Sequence, residues 1–289
     1  MSACPIRLLA IDIDGTLLDT QGQLPERNRD ALAAAQQAGV EIVLVTGRRY
    51  SFALPIARML PFDTVLISSN GAVIRSAGGH TYHRQLLSIE TAARALELAR
   101  DWRDYTLLAY DTETNAQLVL EGLQRRTPGF LAWLERNRQF VAFAPVDQAL
   151  RERAPEQPLQ IMFSGPVAAL RRIERLLLES ELAASFRVMK TEYEDRDLSI
   201  VDIVHPECSK GNALKTWAGL RGYRREEVMA VGDNFNDFEM LQFAGLAVVM
   251  GNCVDGLRGD GWHSTGHCDD AGLAEAIHRW LLAGQERGC

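Results

Sequence analysis

An α/β fold built on a parallel sheet, with a second α+β body inserted into it, is what the sequence predicts. Short apolar runs rich in β-branched residues alternate with longer amphipathic stretches, the pattern of parallel strands joined by helices. That rhythm breaks near residue 85 and resumes near 189, so an insert at 85–188 separates the two halves, 1–84 and 189–289, of one discontinuous domain. A length of 289 residues suits two domains of ordinary size, and 47% apolar residues is enough to give them cores.

Residues 7–13 form the first expected strand. A helix over 25–38 follows and ends at Gly39, a residue type common just past a helix C-terminus. Then come a buried strand at 41–45, a helix at 50–60 and a third strand at 64–68. Segments 70–74 and 80–84 make a hairpin beside that sheet. In the insert, a helix at 88–102 precedes a strand pair at 106–110 and 117–120 and a helix at 127–135. Pro145, Pro155 and Pro158 mark a looser stretch, followed by strand, helix and strand at 159–163, 167–178 and 184–189. The first rhythm returns with a strand at 199–204, a helix at 209–219, a strand at 228–231, a helix at 235–243, a strand at 246–249 and a last helix at 273–282.

The charge balance, 31 Lys and Arg against 38 Asp and Glu, gives a formal net charge of −7 and argues against nucleic acid as a partner. Only Lys190, Lys210 and Lys215 are lysines, so a lysine inside a motif stands out. The five cysteines are widely spaced without a C-x-x-C pair, which suggests neither a disulfide framework nor a zinc knuckle and fits a reducing cytoplasm. No run approaches the ~18 apolar residues of a membrane span, and no signal-peptide core is present, so a soluble, unexported protein is expected.

The chemistry gathers where expected strands end. Asp12-Ile13-Asp14-Gly15-Thr16 follows the first, and in open parallel sheets ligands bind outside the carboxyl ends of strands. Two acids this close repel unless a cation sits beside them, and Mg²⁺ would supply one. Taken alone, the segment is equally an ordinary turn. Thr46-Gly47-Arg48 offers a hydroxyl and backbone donors near a helix start, a place for an anionic oxygen, though a plain helix cap has the same form. Lys210 combines an ammonium with a helix N-terminus. Gly232-Asp233-Asn234-Phe235-Asn236-Asp237 concentrates more acids and amides than a turn requires.

Together these segments resemble the four ordered motifs of the haloacid dehalogenase superfamily, and the likeness spans nearly the whole chain. Ser69-Asn70-Gly71-Ala72, the large insert and Met250-Gly251-Asn252 resemble its Cof-type branch, which has a Rossmann-like core and an α/β cap and consists mostly of Mg²⁺-dependent phosphatases of small phosphorylated metabolites. The resemblance implies Asp12 as nucleophile and Asp14 as general acid and base. It implies a Mg²⁺ held by Asp12, the Asp14 carbonyl and Asp233, with Asp237 behind them. Thr46, Gly47, Lys210 and Asn236 would bind phosphate, while Arg48, Asn70, Arg125, Arg126 and Glu192 are candidates to line the substrate pocket. An acid two places after the nucleophile predicts fast hydrolysis rather than a stored acyl phosphate.

A phosphomutase or phosphotransferase on the same motifs is the first alternative. A module that stores an aspartyl phosphate for signalling, or a non-catalytic relative, is the second. His263, His267, Cys268 and Asp269 fit no strong zinc pattern. The Gly-rich segment 255–262 departs from the family pattern, and monomer and homodimer stand equally open.

Overall fold

Every residue of β1 (Leu8–Asp12) is buried, and its side chains alternate between two cores, Leu9 and Ile11 in one and Leu8 and Ala10 in the other. A continuous apolar run encodes a strand covered on both faces. In the computed structural model, which describes residues 6–112, 116–258 and 261–283, this strand lies inside an eight-stranded sheet. After it come α1 (Glu26–Gln37), β2 (Glu41–Val45), α2 (Tyr50–Ala57), β3 (Val65–Ser68) and the hairpin of β4 (Val73–Ser76) and β5 (Thr81–Arg84).

The second unit, Gln85–Glu207, is a six-stranded sheet with helices. Its elements are α3 (Ile89–Leu98), β6 (Thr106–Ala109), β7 (Leu118–Leu120), α4 (Pro128–Arg136), β8 (Val141–Phe143), α5 (Val146–Glu152), β9 (Gln160–Gly165), α6 (Val167–Leu178), β10 (Arg187–Tyr193) and β11 (Leu198–Val204). The strand order is β10-β11-β9-β6-β7-β8, antiparallel except between β7 and β8. Helices α3, α5 and α6 cover one face through Leu96, Leu150 and Ile173, while Phe130 and Leu134 of α4 pack on Leu107, Leu118 and Leu120 of the other.

Two expectations change here. The proline-marked stretch holds β8 and α5, because Pro145 stands at the N-cap of α5, where a missing N–H costs nothing. The strand expected in the first sheet at 199–204 is instead β11, paired along its length with β10 and on its other edge with β9. The second unit therefore runs to Glu207 rather than 188, and the first resumes at Cys208 rather than 189. Asp197, with φ 43°, closes the β10–β11 hairpin, and no glycine marks that turn in the sequence.

The first unit resumes with α7 (Lys210–Arg221), β12 (Val228–Gly232), α8 (Phe238–Phe243), β13 (Leu246–Val249), β14 (His263–Ser264) and α9 (Gly272–Ala276), which widens into a π-helical turn at Ile277–Leu282. Its strand order is β14-β13-β12-β1-β2-β3-β4-β5, parallel from β14 to β3 and antiparallel in the hairpin. The chain steps from β1 outward through β2 and β3, then returns to β12 on the other side of β1 and steps outward the opposite way. The reversal between β1 and β12 opens a crevice at their carboxyl ends, where Asp12 and Asp233 stand. Residues 259 and 260 of the Gly-rich segment, like Cys4 and Cys289, lie outside the described residues. Among the described residues no helix is long and apolar enough to cross a membrane.

Candidate active site

Asp12 is the last residue of β1, and the turn after it depends on Gly15. Gly15 has φ 80°, and a Cβ there would come within 2.6 Å of Asp233 Oδ2. The close approach lets the Thr16 hydroxyl donate to Asp233 Oδ1 at 2.9 Å, which joins the two strand ends. Asn252 braces the same turn, donating to the Gly15 carbonyl at 2.8 Å and accepting from the Cys268 N–H at 2.9 Å.

Lys210 opens α7 behind Ser209, whose hydroxyl caps the helix by accepting from the Asn212 N–H. An ammonium at a helix N-terminus is unfavourable by itself. Two buried carboxylates hold it: Nζ donates to Asp12 Oδ1 at 2.6 Å and to Asp237 Oδ1 at 2.6 Å. The other oxygen of Asp237 accepts the backbone N–H groups of Asp233 and Asn234 at 3.0 and 3.1 Å. Both oxygens of Asp237 are thus committed, whereas Asp12 and Asp233 each have one oxygen engaged by these contacts.

The electrostatics are unbalanced, with three acids around one lysine. Burial holds Asp12 well above the usual carboxylate range, against the pull of Lys210 and with reinforcement from Asp237 and Asp233. Burial also pushes Asp233 up to about 7, and the charge of Asp237 adds to it. For Lys210, burial works downward, but Asp12 and Asp237 outweigh it and keep the group above its ordinary value. One carboxylate oxygen from each of Asp12, Asp233 and Asp237 lies within 4.8 Å of the others. All three donors are hard oxygens, and the excess negative charge suits a divalent cation.

The other expected residues come from neighbouring strand ends. Thr46, 1% exposed, follows β2 and accepts the Arg48 N–H on its hydroxyl at 3.1 Å. The N–H of Asn70, after β3, donates to the Thr46 carbonyl at 3.0 Å, and its side-chain oxygen accepts from Asn236 Nδ2 at 3.2 Å. This contact ties the loop after β12 to the loop after β3. Arg48 forks onto Asp14, with Nε to Oδ2 at 2.8 Å and Nη2 to Oδ1 at 2.5 Å. The sequence names Arg48 only as a pocket candidate and gives no role to Thr16 or Asn252, since contacts 34 or more residues apart leave no local pattern.

Several candidates are engaged elsewhere. Arg126 is buried and donates to the carbonyls of Tyr105 at 2.8 Å and Thr106 at 2.7 Å, with its guanidinium over Phe130. Arg125 pairs with Asp104, and Glu192 pairs with Arg171 of α6 and Lys190. Ligand atoms of His267, Cys268 and Asp269 also cluster, but the Asp269 carboxylate accepts the N–H and hydroxyl of Thr20 while His267 Nδ1 accepts the Asp269 N–H.

The model of the haloacid dehalogenase-like hydrolase family matches residues 9–277. This chain belongs to that family. Among haloacid dehalogenase-like hydrolases, Phosphatase YwpJ of Bacillus subtilis (strain 168) is 31% identical, over 96% of this chain and 100% of its own length. Pyridoxal phosphate phosphatase YbhA of Escherichia coli (strain K12) is 28% identical over 96% of this chain and 99% of its own. A solved haloacid dehalogenase-like hydrolase from B. subtilis has a TM-score of 0.78 at 27% identity and covers 96% of this chain and 100% of that one.

Proposed function

We propose that this chain is a Mg²⁺-dependent phosphatase that hydrolyses a small phosphorylated metabolite through an aspartyl phosphate on Asp12. The observation that carries this reading is the buried Asp12 carboxylate at a strand end, touching the Lys210 ammonium and crowded by two further acids. A buried carboxylate nucleophile of this kind is repelled by a phosphate dianion, so the reading requires positive charge beside both of them.

In the first step an oxygen of Asp12 attacks phosphorus as the bond to the ester oxygen breaks, and Asp14 gives the departing oxygen its proton. In the second, Asp14 takes a proton from water, the water oxygen attacks phosphorus, and the bond to Asp12 breaks to release phosphate. Lys210 holds Asp12 in place and directs its remaining N–H at a phosphoryl oxygen. Thr46, the Gly47 backbone and Asn236 bind the other oxygens, and Asn70 steadies Asn236. Asp12, the Asp14 carbonyl and Asp233 would hold the metal, with Asp237 fixing Lys210 and the Asp233 loop from behind. Mg²⁺ bound there would neutralise phosphoryl charge and relieve the repulsion among the acids. Substrate choice falls to the inserted unit, because these residues concern the phosphate alone.

Phosphate release from p-nitrophenyl phosphate tests the reading. Asp12→Asn abolishes turnover, and chelation of the metal does the same until Mg²⁺ is restored. Unchanged turnover in Asp12→Asn defeats it.

A further inference from the structure

The turn that follows Asp12 is held by its carbonyls. The Leu17 N–H donates to the Asp12 carbonyl at 3.2 Å and the Leu18 N–H to that of Ile13 at 2.9 Å. The carbonyls of Gly15 and Leu17 are instead met by side chains from distant parts of the chain, Asn252 Nδ2 at 2.8 Å and Asn28 Nδ2 at 3.0 Å. Among the described residues no hydrogen bond reaches the Asp14 carbonyl, although the carbonyls before and after it are both tied.

Each asparagine also accepts a backbone N–H from one segment near the end of the chain. Asn252 takes that of Cys268 at 2.9 Å and Asn28 that of Ala274 at 3.0 Å. Asp269 adds a third tie, accepting the N–H and hydroxyl of Thr20 at 2.8 and 2.9 Å. Residues 15–20 are thus fastened to residues 268–274 by three side chains, of which Asn252 alone acts beside Asp14.

That position matters because of Gly15. Its φ of 80° makes the tight turn, and a residue without a Cβ is also the freest to leave that conformation. A hydrogen bond to its carbonyl fixes the plane of the Gly15–Thr16 peptide. On one side this sets how the Asp14 carbonyl is carried. On the other it sets Thr16, whose hydroxyl holds Asp233 Oδ1.

We propose that Asn252 is a positioning residue for the divalent cation, acting through the Gly15–Thr16 peptide to keep the Asp14 carbonyl and Asp233 aligned as ligands. The proposal rests on the phosphatase reading, which assigns those two groups to the metal. Partners that orient metal ligands are commonly worth tenfold or more in affinity.

The test titrates Mg²⁺ into the substrate-free protein and reads the concentration that gives half of the full melting shift. Asn252→Ala raises that concentration about tenfold, and Asn252→Leu, which fills the same space if the alanine variant does not fold, does the same. Thr16→Val keeps the side-chain shape, removes the hydroxyl and also raises it. Asp269→Ala loses the tie at Thr20, melts lower without Mg²⁺ and leaves the half-point within about twofold. With p-nitrophenyl phosphate the Mg²⁺ needed for half-maximal kcat rises in step for the Asn252 variants, while KM at saturating Mg²⁺ stays within about twofold. A wild-type half-point in the Asn252 variants, an equal rise in Asp269→Ala, or a wild type whose melting ignores Mg²⁺ overturns the proposal. Failure of the phosphatase reading looks different, since the wild type itself then releases no phosphate.

Discussion

Lys210 Nζ lies 2.6 Å from Asp237 Oδ1 in a pocket where the lysine side chain is 1% exposed and the aspartate 0%. The pair joins the first residue of α7 to the loop after β12, and Asp12 completes it from β1. A buried ion pair adds little over a well-packed apolar substitute, but removing one partner strands the other charge. Lys210→Met leaves Asp12 and Asp237 facing each other without their cation. The expected result is a loss of about 3 kcal/mol in chemical denaturation and a fall in phosphate release of about a hundredfold or more. A variant that unfolds at the wild-type denaturant midpoint contradicts this account.

The acid cluster predicts a stabilising response to Mg²⁺ that is separate from catalysis. Asp12 and Asp233 are destabilised as anions by burial and by the acids around them, Asp237 above all, and a cation among them removes that cost. A ligand that binds only the folded state at a hundred times its Kd adds about 2.7 kcal/mol. Mg²⁺ therefore raises the melting temperature of the wild type, and Asp233→Asn loses most of the rise while remaining folded. Scanning fluorimetry with and without Mg²⁺ checks it; equal shifts in both proteins would falsify the assignment of Asp233 as a ligand.

What the sequence carries and what it hides follow from the range of each signal. The strands of the first unit are legible because residues such as Leu8, Leu9, Ala10 and Ile11 must all be apolar to serve two cores. Parallel strands share one carboxyl edge, so Asp12, Thr46 and Asp233 could be assigned to one crevice before any coordinates, whereas Asn70 entered only through the family resemblance. The boundary at Glu207 is hidden because β11 is as apolar as a core strand, and only its pairing with β10 and β9 assigns it to the insert. The fork of Arg48 on Asp14 and the brace of Asn252 on Gly15 are equally invisible, since each joins residues of two motifs that lie far apart in the sequence and no local pattern says that they touch.

The Arg48–Asp14 fork separates positioning from phosphate binding. Two hydrogen bonds to one carboxylate fix its rotamer in a way that a single ammonium cannot. If Asp14 protonates the leaving oxygen, its alignment matters most for alkoxides, which depart poorly without a proton, and least for p-nitrophenolate. Arg48→Met is expected to lower kcat about tenfold or more on an alkyl phosphate and far less on p-nitrophenyl phosphate, with Arg48→Lys intermediate. Equal losses on the two leaving groups would assign Arg48 to the phosphate instead.

Asp202 makes a prediction about stability that needs no substrate. Its carboxyl is pushed up to about 7 by burial, against about 3.9 in an unfolded chain. Between those values the folded protein keeps a proton that the unfolded chain has released, so stability falls as pH rises from about 4 to about 7 and is level above that range. No neighbouring charge offsets the effect, since burial is the cause throughout. Asp202→Asn removes this one titration and keeps the shape of the side chain. Denaturation of both proteins at several pH values from 5 to 8 isolates the difference from every other titrating group. The variant gains on the wild type as pH rises and ends about 1–2 kcal/mol more stable at pH 8, a discounted figure because the carboxylate is partly exposed. Parallel curves would mean that the carboxylate is already well solvated in the folded state and that burial exerts no pull on its proton.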